Sequence, residues 1–220
     1  EKLPYEFLPG ITSHCELDRS GIFEKGIDAI NNGLNDNLKN SSEQKTRDVY
    51  QSFVYALEGL SILMENAALT AEKAVKEASK ERREELKIMA EICKKIAHSP
   101  PSTFREALQL MWFVDFGTSY GDNAGLVSPG HIDRTLYAYY KNDIKKGILT
   151  KEKALFLLEN FYILINEYIP DGLAIAVMVG GRDKDGNDVT NDLSYLCLEA
   201  LRKTKLVYPT VGICWHEGTP

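Results

Sequence analysis

None of the four cysteines, Cys15, Cys93, Cys197 and Cys214, stands in a Cys-x-x-Cys pair, which excludes a zinc knuckle and a thioredoxin-type motif. No apolar run reaches the ~18–20 residues of a membrane-spanning helix. The closest, ALFLLENFYILINEYI, is broken by Glu159, Asn160, Asn166 and Glu167. Positive charge is not in excess: the net charge is −6, and Lys and Arg alternate with Glu in stretches such as KEASKERREELK. A nucleic acid or an anionic membrane needs a basic patch, so neither is an expected partner. Gly180-Gly181 lacks both the GxGxxG pattern and a Walker lysine, so no phosphate loop is expected. No signal peptide is expected, and the residues show no repeat or low-complexity tract. The first residue is Glu1 rather than Met, so the start reads as processed or cut. What remains is a globular composition, 44% hydrophobic and 26% charged over 220 residues, long enough for one large domain or two small ones. A reducing cytoplasm is the expected compartment.

The stretch VMVGGRDKDGNDVTNDL invites a calcium-loop reading, because Asp183, Asp185, Asn187 and Asp188 crowd around Gly186. An EF-hand loop needs glycine at position 6 and glutamate at position 12. Counted from Asp183, those positions hold Asp188 and Ser194, and an apolar strand-like run precedes the loop. A polar turn fits better, with Gly186 permitting positive φ and Thr190 or Asn191 capping a following helix.

Residues 1–42 read as an extended lead-in with one short helix near Ile22 to Ile30. Val49, Phe53, Leu57, Leu60, Met64 and Ala67 then recur at helical spacing, as do Leu86, Met89, Cys93 and Ile96, predicting two long helices with one apolar stripe each. Ser99-Pro100-Pro101 ends this hairpin. Thr103 and Glu106 make a capping box for a deeply buried helix, REALQLMWFVDF, followed by the glycine-rich loop GTSYGDNAGLVSPGH. Further helices are predicted over about Ile132 to Lys145, Thr150 to Ile165 and Asp192 to Lys203. Strands are predicted at Ala174 to Val179 and Val211 to Trp215. Strand, helix and strand in that order suggest parallel pairing. Two parallel strands do not make a stable sheet, so an incomplete domain is expected. Cys93 and Cys197 are expected in the core, and Tyr137, Tyr139 and Tyr140 as helix packing. Asp133 is expected to cap or salt-bridge the helix it opens, and His216 to pack at a strand end.

Several blocks, in order, resemble the pyruvate formate-lyase-like domain of glycyl radical enzymes: PPSTFREALQLMWF, GHIDRTLYAYYKNDIKKGILTKEKALFLLENFYILINE, VGGRDKDGNDVTNDLSYLCLEALR and YPTVGICWHEGTP. The likeness is closer to the dehydratase, lyase and decarboxylase branch than to pyruvate formate-lyase itself. It implies an α/β fold in which a helical amino-terminal layer (1–100) and the first α/β part of a β/α barrel (101–220) belong to one larger domain. It implies cleavage of a C–O, C–N or C–C bond of a small metabolite by hydrogen abstraction. It also implies a protein glycyl radical installed by an S-adenosylmethionine iron–sulfur activase, an oxygen-free cytoplasm and a homodimer. The family's Gly-Cys-x-Glu loop and its terminal glycyl loop are not among these residues, so no catalytic residue, bound cofactor or metal is expected in this chain.

The resemblance does imply part of a substrate pocket. The loop before the family's Gly-Arg-x-Asp-Gln block carries polar groups near the substrate. Here that block reads Gly130-His131-Ile132-Asp133-Arg134, and the loop offers Asp122, Asn123 and Ser128. Asp122, Asn123, Ser128 and His131 are therefore the candidate substrate-binding residues. His131, Arg134, Arg182 and Cys214 depart from the family pattern, arginine being expected at 131 and 214, which fits a different ligand charge or a drifting paralogue. Within the family, a formate acetyltransferase-like enzyme or an arylacetate decarboxylase are alternatives. Outside catalysis, the alternative is a remnant that acts as a binding protein. Such a remnant leaves apolar strand and helix surface uncovered, at about 25 cal/mol per Å².

Overall fold

The computed structural model describes residues 15–121, 126–168 and 175–220. They form two compact units. The helical unit, Asp18–Ser102, contains α1 (Ser20–Lys25), α2 (Ile27–Asn40), α3 (Gln44–Ala74) and α4 (Lys80–Ile96). The lead-in thus holds two helices where one was expected. Gly26, at φ +76°, separates them. A Cβ there would stand 2.6 Å from Pro100 N and 2.8 Å from His98 O. The asparagines and glycine of INNGLNDN disguise α2, since propensity is a weak prior that packing overrides. The two long helices stand where their periodicity predicts, with one revision. Val54, Met64, Ala68 and Ala71 are the buried column of α3, whereas Val49 and Phe53 are half exposed. Tyr55, Ile62 and Leu69 put apolar side chains on other faces of the same helix, so its stripe was not unique. On α4, Leu86, Ala90, Ile92, Cys93 and Ile96 are buried.

The second unit takes residues up to Leu17 and resumes at Thr103. It contains β1 (Cys15–Glu16), α5 (Phe104–Gly121), β2 (Val127–Ser128), α6 (Ile132–Thr135), α7 (Tyr137–Lys145), α8 (Lys151–Tyr168), β3 (Ala176–Gly180), α9 (Asp192–Thr204) and β4 (Thr210–Cys214). Two anchors start α5: Thr103 Oγ1 accepts from Glu106 N at 3.3 Å, and the buried Asp143 Oδ2 accepts from Phe104 N at 2.8 Å. Held this way, the helix runs on to Gly121, through residues expected to be loop. β1 pairs with β2 and β3 with β4, both parallel. Gly130 bridges the two pairs, donating to Ala176 O at 3.3 Å and accepting from Met178 N at 2.8 Å. The very short β1 and β2 carried no periodic signal and were not anticipated.

The register Met178↔Gly212 and Gly180↔Cys214 gives the β3–β4 pair two faces, because side chains alternate along a strand. Val177 and Val179 are buried on one face, which Val211 and Ile213 share. Met178, Gly212 and Cys214 lie on the other. A Cβ on Gly212 would meet Met178 Sδ at 2.8 Å, so the glycine makes room for the thioether.

Candidate functional site

β3 and β4 end level with each other at Gly180 and Cys214, and side chains from distant parts of the chain meet near that end. Such edges are where ligands bind in parallel α/β sheets. β1 contributes Glu16, the turn after β2 contributes His131, and β4 contributes Cys214. Glu16 Oε1 accepts from the His131 backbone N at 3.0 Å, and Glu16 Oε2 lies 3.1 Å from His131 Nδ1. On the far side of the ring, Nε2 lies 3.6 Å from Cys214 Sγ. A carboxylate only accepts, so Nδ1 carries the proton towards Glu16 and Nε2 is left to accept from the thiol. Gly130 makes the arrangement possible. Its φ is +65°, and a Cβ would overlap the Glu16 carboxyl, 1.9 Å from Cδ.

Arg134 closes the other flank. Its Nη2 donates to Gly180 O at 2.6 Å. A Cβ on Gly181 would lie 2.7 Å from Arg134 Nη2 and 2.8 Å from Cys214 Cβ, so the guanidinium and the cysteine flank the same glycine. Asp133, fully buried, does not cap the helix it opens. Its Oδ2 accepts from Gly180 N at 2.7 Å and from the Ser194 hydroxyl, and its backbone carbonyl accepts from Asn191 Nδ2. The carboxylate therefore joins the end of β3 to the start of α9. Asn191 and Ser194 complete a capping box there.

Of the residues singled out from the sequence, His131 lies in this cluster. Ser128 is buried at the end of β2, with its hydroxyl accepting from Ala176 N at 3.2 Å. Asp122 and Asn123 lie outside the described residues. The polar turn is as expected: Asp183 Oδ1 accepts from the Asp185 and Asn187 amides, and Gly186 has φ +87°. The hydrogen bonds from Asn187 hold the Asp183 carboxyl below its ordinary value. Among the described residues no three His, Cys, Asp or Glu side chains are placed to hold a metal. His216 sits beyond the end of β4, with Nε2 2.9 Å from Asp188 Oδ1 and Nδ1 accepting from Gly218 N. Cys93 and Cys197 are buried as expected. Burial pushes the Cys197 thiol far above the ordinary value, and the nearby Asp133 charge adds to this, so that thiol is inert. Glu16 was missed because the strand that carries it was missed. Cys214 was noticed only as a departure from a pattern.

The family model for pyruvate formate lyase-like proteins matches residues 11–220. This chain belongs to that family of glycyl radical enzymes. It is 34% identical to (2S)-3-sulfopropanediol dehydratase of Klebsiella oxytoca, over 94% of this chain and 27% of that protein. It is 36% identical to isethionate sulfite-lyase of Nitratidesulfovibrio vulgaris, over 70% of this chain and 20% of that protein. Among solved structures it resembles a glycyl radical enzyme from Archaeoglobus fulgidus, with TM-score 0.85 and 28% identity over 94% of this chain and 29% of that one. It also resembles glycerol-bound B12-independent glycerol dehydratase from Clostridium butyricum, with TM-score 0.86 and 26% identity over 94% and 28%. The match thus spans only 20–29% of the length of these proteins.

Proposed function

We propose that this chain builds the first wall of the substrate chamber of a glycyl radical dehydratase or lyase, which cleaves a C–O, C–N or C–C bond of a small metabolite. The observation that carries this reading is the hydrogen-bonded row Glu16, His131 and Cys214 at the carboxyl edge of the parallel strands. Family membership supplies the chemistry, and relatives named as dehydratase and lyase favour elimination over acyl transfer. In this reading the strands are the first of a β/α barrel, and Asp122, Asn123, Ser128 and His131 belong to the wall facing the substrate. The whole protein stores a glycyl radical, receives it from an activase that uses S-adenosylmethionine and an iron–sulfur cluster, and works as a homodimer in an oxygen-free cytoplasm.

Charge at the edge narrows the substrate. Arg134 gives one of its donors to the Gly180 carbonyl and keeps its charge, and the Glu16 carboxylate supplies one negative charge beside His131. These two formal charges cancel, so no net positive charge is left for an anion, and this suits a neutral diol or an amino alcohol. The native gene product containing this chain, activated without oxygen, should give the EPR doublet of a glycyl radical and then eliminate water or amine from short diols or amino alcohols. A radical without any such elimination would refute the substrate class. Absence of a radical after treatment with competent activase would refute the enzyme reading.

A further inference from the structure

The row Glu16, His131 and Cys214 has the form of an orienting carboxylate, a base and a nucleophile, each within reach of the next. We infer that Cys214 is a nucleophilic thiol, served by His131 and held in register by Glu16, that adds reversibly to the carbonyl carbon of a small aldehyde. The three residues come from β1, the turn after β2 and β4, so their meeting is a product of the fold and not of local sequence. Nε2 faces the sulfur at 3.6 Å while Nδ1 is engaged by the carboxylate at 3.1 Å. The ring is thus turned to take the thiol proton. Cys214 is partly exposed, as is Cys15, which has no such base paired with it in the hydrogen bonds described. Cys197, in contrast, is sealed in the core.

The step balances without an oxidant or reductant. Sγ gives its proton to Nε2, and the sulfur lone pair forms the S–C bond. The carbonyl π pair moves to oxygen, and Nε2 returns the proton to that oxygen to complete a hemithioacetal. A carbonyl is preferred to an alkyl electrophile because of Arg134. The guanidinium flanks Gly181 beside Cys214, where it would stabilise the developing oxyanion. Glu16 touches no reacting atom. It is a positioning residue that fixes the ring and balances the charge of the imidazolium. The inference rests on this geometry and not on the radical chemistry proposed above.

Iodoacetamide labelling of the native protein, followed residue by residue by peptide mass spectrometry, tests it. Cys214 should be alkylated roughly tenfold or more faster than Cys15, a modest share of what a positioned base supplies. Propanal should slow labelling of Cys214 and leave Cys15 unchanged. His131→Asn should bring Cys214 down towards the Cys15 rate. Glu16→Gln keeps an acceptor for the His131 amide but removes the charge facing Nδ1, so it should slow Cys214 without altering Cys15. Equal rates at the two cysteines in the unsubstituted protein would overturn the activated thiol, and that comparison needs no variant to fold. Preferential labelling without protection by propanal would overturn the carbonyl assignment.

Discussion

Gly130 shows how much of the site hangs on one absent methyl group. Its positive φ turns the chain out of β2, and its missing Cβ leaves the space that the Glu16 carboxyl occupies. Gly130→Ala should therefore cost about 1–3 kcal/mol, from left-handed backbone strain and displacement of Glu16. Denaturant unfolding would measure that loss, and labelling of Cys214 would fall to the rate of Cys15 in the same variant. A fully stable variant with unchanged labelling would show that Glu16 does not lie where the geometry puts it. At this scale the sequence was partly legible. Gly130-His131 could be picked out because glycine before histidine in a patterned block stands out. Glu16 could not, since a two-residue strand has no period to read, and nothing local links position 16 to position 131.

Helices and strands differ in how they can be read. Long helices declare themselves by spacing, so α3, α4, α8 and α9 lie close to where they were predicted. α2 did not, because its asparagines are neutral at best for a helix and its stability comes from packing. Part of that packing is ionic. His98 Nδ1 lies 3.0 Å from Asp28 on α2, and Nε2 lies 2.9 Å from Glu65 on α3. Two acceptor carboxylates are both satisfied only by the imidazolium, which donates from both nitrogens. The hydrogen bond to Asp28 raises the His98 pKa above its ordinary value of 6.5, with Glu65 adding to it against partial desolvation. A raised folded value stabilises fully below the unfolded value, and the effect is lost as pH rises through the folded value. The stability difference between the native protein and His98→Asn should thus be largest in mild acid and shrink as pH rises above 6.5. Thermal unfolding of the pair across pH would show this. A difference that grows with pH would mean that the ring packs there as the neutral form.

On the scale of the whole molecule, the resemblance read from four sequence blocks is matched by a family model over residues 11–220 and by solved structures at TM-scores of 0.85 and 0.86. Family could be read because it is spread over many positions, each weakly informative. The working edge was harder to see, since it depends on which strand ends meet in space. Asp133 makes the point. From the sequence it looks like a helix cap, but in the fold it ties β3 to α9 and so fixes the ends of two of the elements around the site. The account then stands or falls on which face of β4 looks at the substrate. Cys214 and Ile213 are neighbours on that strand and point to opposite faces, so one new side chain can be placed on either. On the proposed function, in the activated full-length protein, Cys214→Met should cut turnover by about a hundredfold, as small misplacements at a reacting centre do, with the glycyl-radical EPR signal retained. Ile213→Met should turn over at a rate close to the parent's. Equal activity in the two variants, with radical present in both, would contradict the assignment of the Cys214 face to the substrate.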